Sequence, residues 1–174
     1  MLAPLLARLG AHDRALLLRY AIGPAARRAS RRGWVIVTHA GGTGPSVLAA
    51  GLPWFACCRL HEASRAALLT LVLSHLVVQL IKRTTGRDRP SSDAGRLALI
   101  REPDRFSFPS GHATAAMSVA LAYGAYFPAW SGPLIVLAMV VGFSRVRLAV
   151  HYPSDVLVGQ AIAAFTAGGV LAAS

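Results

Sequence analysis

The stretch SRVRLAVHYPSD, Ser144 to Asp155, decides how the rest of the chain is read. It places a cation (Arg145), an imidazole (His151) and a carboxylate (Asp155) at the junction of two long apolar segments. Ionisable groups at such a depth are expensive, and those that occur are usually functional. Pro153 lies between His151 and Asp155. A helix starting near Pro153 puts Asp155 in its first turn, from which it can reach back to the His151 ring. Arg145 precedes His151 by six positions. On one unbroken helix that is about 240° of rotation, so the two would face apart. They meet only if the chain bends between them, or if both reach one small anion from different sides. The competing reading is a basic turn beside a membrane, with Asp155 capping the next helix.

The surrounding chain is apolar. Of its 174 residues, 55% are hydrophobic and only 14% charged, and the mean hydropathy is +0.51. Soluble domains carry roughly 25% charged residues, so the composition points to a single membrane domain. The net charge of +11 calls for an anionic partner: nucleic acid, lipid headgroups or an anionic substrate. Nucleic acid is disfavoured, because the basic residues are not interleaved with aromatics. Cys57 and Cys58 are adjacent, which suits neither an unstrained disulfide nor a zinc site, so they read as packing residues. Lys82 is the single lysine among 18 basic residues.

These features predict an all-α, polytopic membrane bundle: one domain over 1–174, with about five spanning helices over 34–174. Residues 1–33 are leucine-rich but repeatedly charged, which excludes a span and suggests an amphipathic helix in the membrane interface. The stretch itself has no secretory signal pattern, with no small-residue cleavage site after a clean apolar core. Expected spans are 34–58, 66–81, 111–127, 134–144 (continuing towards 150) and 153–173. The polar stretch from Lys82 to Phe108 is the one long loop, and long loops in compact proteins are commonly functional.

Three polar clusters then fall at matching ends of antiparallel spans, hence on one membrane face. At 82–90, Lys82 and Arg89 are seven residues apart, about two helical turns, and could close on one anion; Pro90 limits the helix. Arginine offers a planar fork to phosphate oxygens and lysine a point charge. At 109–112, PSGH opens a helix: the Ser110-Gly111 start presents backbone N–H groups to an anion, and His112 sits in the first turn. The third cluster is 144–155.

Together, K-x6-RP, PSGH and SR-x5-H-x3-D resemble the motifs of the type 2 phosphatidic acid phosphatase family, related to the vanadium haloperoxidases. The likeness covers residues 82 to 155 with every motif position filled. It implies an all-α membrane phosphatase that uses no metal and no cofactor. By position it makes His151 the nucleophile, Asp155 its orienting partner and His112 the general acid. It makes Lys82, Arg89, Ser110, Gly111 and Arg145 the phosphate cradle.

The residue chemistry supports such roles independently. Phosphomonoester hydrolysis needs charge neutralisation, a nucleophile and a proton for the leaving alkoxide. Imidazole can supply either of the last two near neutral pH. A two-metal phosphatase needs clustered carboxylates, and Asp155 is the only acid in the motifs that supply the histidines. The expected function is hydrolysis of a lipid phosphomonoester or diphosphate through a phosphohistidine, with a lipid phosphate and membrane lipids as partners. Alternatives are a lipid phosphotransferase, a vanadate-dependent haloperoxidase and a non-catalytic binder of anionic lipid. The loop from Arg96 to Arg105 is a candidate head-group selector. His12 and His61 read as surface residues and His39 as a packing or helix-bonding group. His75, seven before Lys82, could face the same groove. A bacterial inner membrane is the expected location. The arginines at the N-terminus place the catalytic face in the cytoplasm by the positive-inside rule, whereas the resemblance favours the outer face.

Overall fold

The computed structural model describes residues 2–23, 25–56, 59–90, 100 and 104–174, the side chains of 2–9 excepted. The readings for Cys57, Cys58 and most of the Arg96–Arg105 loop lie outside the described residues. Seven α-helices are present among these residues: α1 (Leu2–Tyr20), α2 (Arg28–His39), α3 (Thr43–Gly51), α4 (Arg59–Thr85), α5 (Gly111–Tyr126), α6 (Pro128–Arg147) and α7 (Pro153–Ala172). A single 3-10 turn, Leu52–Phe55, follows α3. The class is all-α, as expected.

Among the described residues three helices, α4, α6 and α7, are long and apolar enough to cross a membrane. The sequence expectation was about five. The difference lies first in 34–58, which is not one helix: α2 ends at His39 and α3 begins at Thr43. The break has a packing reason. A Cβ on Gly41 would lie 2.5 Å from Val141 Cγ1 and 2.9 Å from the His112 carbonyl oxygen, so the turn presses directly on α5 and α6. α5 is only 16 residues long.

α5 is the hub of the bundle and packs against α3, α4, α6 and α7. Its buried positions are nearly all small (Ala113, Thr114, Ala115, Ser118, Ala120, Ala122, Gly124). Small residues let backbones approach closely where lipid offers no hydrophobic drive between helices. Ser74 on α4 and Ser118 on α5 share a hydrogen bond of 2.9 Å. By contrast, Leu69, Val72, Leu73, Leu76 and Leu80 of α4, Val136, Leu137 and Phe143 of α6, and Leu157 and Phe165 of α7 are exposed. So broad an apolar exterior suits lipid, not water. The protein is an integral membrane protein.

Gly159 on α7 fixes the height of α5. A Cβ there would stand 2.7 Å from the Ser110 carbonyl oxygen and 2.8 Å from Thr114 Oγ1. Relief would require moving the first turn of α5. Gly159→Ala is therefore expected to destabilise the protein by about 1–3 kcal/mol, and thermal unfolding in detergent checks it.

Candidate active site

The bend predicted between Arg145 and His151 exists, and its form is a Schellman-type helix end. α6 stops at Arg147, and Ala149 takes the left-handed conformation at φ 55°. Ala149 N–H donates to Val146 O (3.0 Å) and Val150 N–H to Arg145 O (3.1 Å), the paired bonds of that motif. Glycine usually fills this position; a non-glycine residue there costs roughly 1–2 kcal/mol. The chain then reverses through His151 into α7. Pro153 opens α7, and Asp155 in its first turn accepts from the Tyr152 N–H at 2.8 Å. That bond is the backbone half of a capping box.

His151 and Asp155 are almost completely buried. Asp155 Oδ2 lies 3.5 Å from His151 Nδ1, ion-pair distance. On the other side of the ring, Arg89 Nη1 lies 3.1 Å from Nε2. A guanidinium can only donate, so this contact assigns the lone pair to Nε2 and the ring proton to Nδ1, facing Asp155. Nε2 is then the ring nitrogen whose lone pair can serve as base or nucleophile.

Lys82 and Arg89 do come together, but not as one helix face. α4 ends at Thr85, and Gly86 takes φ 59°. The helix cannot continue through that conformation, so Arg89 reaches the site from a turn. What unites the two cations is Asp104. Lys82 Nζ donates to its Oδ2 at 2.6 Å. Arg89 donates through Nε to its carbonyl (3.0 Å) and through Nη2 to its carboxylate. Arg89 Nη1 also donates to Val150 O at 2.9 Å.

Burial pushes the Asp104 carboxyl upward, but hydrogen bonds and charge from Lys82 and Arg89 outweigh it and hold the group below its ordinary 3.8. A carboxylate depressed in this way contributes stability that is fully present above the unfolded value and lost as pH falls through the folded one. Acidification below 3.8 should therefore release Asp104 from the two cations. Melting temperature measured from neutral to acid pH should show this loss in the wild type, and Asp104→Asn should lack it.

A cavity of about 500 Å³ is lined by Lys82, Arg89, Gly111, His112 and His151, with an apolar wall of Leu71, Val72 and Leu76. A Cβ added at Gly111 would meet open space, so the start of α5 faces the cavity with its backbone bare. His112 Nε2 lies 3.8 Å from where a Gly42 Cβ would stand, which places its ring against the turn between α2 and α3. Ser110 and Arg145 are fully buried and are not among the lining residues. Ser110 N–H donates to Asp155 O at 2.9 Å, tying α5 to α7. Arg145 Nη1 donates to Thr38 Oγ1 of α2 at 2.6 Å. His75 lies on the wall below Lys82, where it shares a hydrogen bond of 3.1 Å with Gln79. His39 Nδ1 lies 2.5 Å from Val35 O, within its own helix, and His61 Nδ1 lies 2.9 Å from Trp54 O.

The family model for the PAP2 superfamily matches residues 63–174. The chain belongs to the PAP2 superfamily. Among PAP2 and related phosphatases, it is 41% identical over 100 residues to decaprenylphosphoryl-5-phosphoribose phosphatase of Mycobacterium tuberculosis, covering 57% of this chain and 54% of that protein. It is 37% identical over 101 residues to lipid A 1-phosphatase of Rhizobium johnstonii, covering 55% and 41%. The matched stretch thus spans about half the length of these relatives. The fold is similar to that of a transmembrane PAP2-type phosphatidylglycerolphosphate phosphatase from Bacillus subtilis. The TM-score is 0.75 at 23% identity, covering 95% of this chain and 85% of the other.

Four residues around the candidate site escaped the sequence reading. Asp104 was one charge among many in a loop. Thr38 carries no charge. Arg87 donates to Asp155 Oδ1 at 2.8 Å, and Asp13 reaches the same guanidinium at 2.7 Å. Asp13 did leave a signal: it is the single acid among seven arginines in residues 1–33.

Proposed function

We infer that the protein is a membrane lipid phosphatase that works through a phosphohistidine on His151. The observation that carries this reading is the two-sided hold on one imidazole. Asp155 faces Nδ1–H, while Nε2 lies beside the Arg89 guanidinium at the cavity wall. In the first step the Nε2 lone pair attacks phosphorus. The bond from phosphorus to the lipid oxygen breaks, and His112 gives that oxygen its proton. Asp155 stabilises the positive charge that develops on the ring. In the second step His112 takes a proton from water, whose oxygen attacks phosphorus. The P–N bond breaks, releasing inorganic phosphate and restoring His151. Lys82 and Arg89 neutralise the phosphoryl oxygens; for that, the phosphate must take over the cations that Asp104 occupies.

The apolar wall of α4 beside Lys82 suits a lipid tail. The relatives named above act, by their names, on phosphorylated polyprenyl ribose and on lipid A, which favours a lipid phosphate over a soluble ester. A phosphotransferase would use the same first step, with an acceptor hydroxyl in place of water. Purified protein in detergent should release phosphate from a panel of lipid phosphates, and rapid quenching should trap an acid-labile, base-stable phosphoprotein. Absence of that adduct during turnover would sink the phosphohistidine. A cysteine at Arg105 in a Cys57→Ser/Cys58→Ser background, labelled from one side of the membrane, assigns the catalytic face.

A further inference from the structure

α1 lies against the catalytic end of the bundle, not apart from it. Leu17 is buried with Ala113, Val146, Tyr152 and Val156. Ile22 N–H donates to Arg147 O at 2.8 Å. One turn before Leu17, Asp13 enters the site from behind, and its side chain is only 7% exposed. Its Oδ1 accepts from the Ser154 N–H at 3.0 Å, in the first turn of α7. Its Oδ2 accepts from Arg87 Nη2 at 2.7 Å and also from the Ser154 hydroxyl. Arg87 Nη1 donates to Ser154 Oγ and to Asp155 Oδ1, each at 2.8 Å. The guanidinium lies over the Tyr152 ring, 4.2 Å from its centroid.

We propose that Asp13 and Arg87 are positioning residues for the reaction, acting on His151 through Asp155. This rests on the phosphatase reading above. Arg87 alone would fix Asp155 at a cost, because a guanidinium paired with one carboxylate neutralises the charge that His151 needs. Asp13 supplies the second carboxylate. The cluster of Asp13, Arg87 and Asp155 then carries a net negative charge behind an imidazole that becomes cationic only as the P–N bond forms. An interaction strengthened only in the transition state appears in kcat, not in KM. Asp13 also caps α7 across the chain, which keeps Asp155 at the height of the ring. The N-terminal helix is on this account part of the catalytic machinery, beyond any role as a membrane-surface anchor.

The test uses the full chain in detergent, with a lipid phosphate that the wild type hydrolyses. Asp13→Asn keeps the size of the side chain and removes its charge. It should lower kcat by about 10–100-fold, the range for residues that orient a functional group, with KM within about twofold. Asp13→Glu should recover part of the loss. Arg87→Gln should lower kcat similarly, and the double variant should be no worse than Arg87→Gln alone, since both act through one chain of contacts. Ile135→Ala, towards the far end of α6 from the site, supplies the structural control: it opens the cluster of Met117, Ala120, Ala138 and Ala163 and should lower the melting temperature without changing kcat well below it. An unchanged kcat in folded Asp13→Asn overturns the proposal. So does a kcat loss in Ile135→Ala that matches that of Asp13→Asn. A wild type that releases no phosphate from any lipid removes the phosphatase reading itself, and this inference with it.

Discussion

His151→Gln should abolish phosphate release from every substrate, by at least about 10³-fold, whereas His112→Gln should discriminate by leaving group. The contrast follows from the two roles. On the proposed mechanism, Nε2 of His151 forms the bond to phosphorus regardless of what leaves. On the same mechanism His112 protonates a lipid alkoxide, whereas p-nitrophenolate departs without a proton. With a lipid ester, His112→Gln should therefore cost about 10²–10⁴-fold, the range for general acid–base catalysis. With p-nitrophenyl phosphate the first step should survive, and phosphoenzyme should accumulate because water is no longer activated. Stopped-flow release of nitrophenolate should show one fast turnover followed by near arrest. An adduct formed by His151→Gln would put the nucleophile elsewhere. The backbone bonds of the turn before α7, such as His151 N–H to Arg145 O, do not use the imidazole, so the fold should persist in both variants.

Arg89→Lys is the second large effect, despite conserving charge. Arg89 serves four acceptors at once: the Asp104 carboxylate, the Asp104 carbonyl, Val150 O and His151 Nε2. A planar fork does this from one position, and a single ammonium cannot. Loss of one preorganised donor at a developing charge costs about 10²–10³-fold, and kcat/KM of Arg89→Lys should fall by that much. Lysine should recover little over Arg89→Ala. Thermal stability should fall too, because Val150 O and the Asp104 carbonyl lose their donor, at about 1–3 kcal/mol for a buried group left unsatisfied. Near-wild-type kcat/KM in Arg89→Lys would mean that charge alone matters at this position.

The amino-acid sequence by itself determined the class of the fold, the three polar motif segments and the need for a bend after Arg145. Those are local matters: apolar runs, Pro153 at a helix start, and a spacing incompatible with one straight helix. Lys82, Arg89, Gly111, His112 and His151 were legible for the same reason, and the cavity gathers all five. Only the tertiary structure decided how they meet. Gly86 takes the chain off α4, so Arg89 comes round a turn instead of along the helix. The break at Gly41 and Gly42 depends on contact with Val141 and His112, about 100 and 70 residues away in the chain. Asp13 and Asp104 acquire meaning only from guanidinium groups that folding carries to them across 74 and 15 residues. A carboxylate has no periodicity and no required neighbour in the sequence. Its role is set by the cation that packing brings within hydrogen-bond distance.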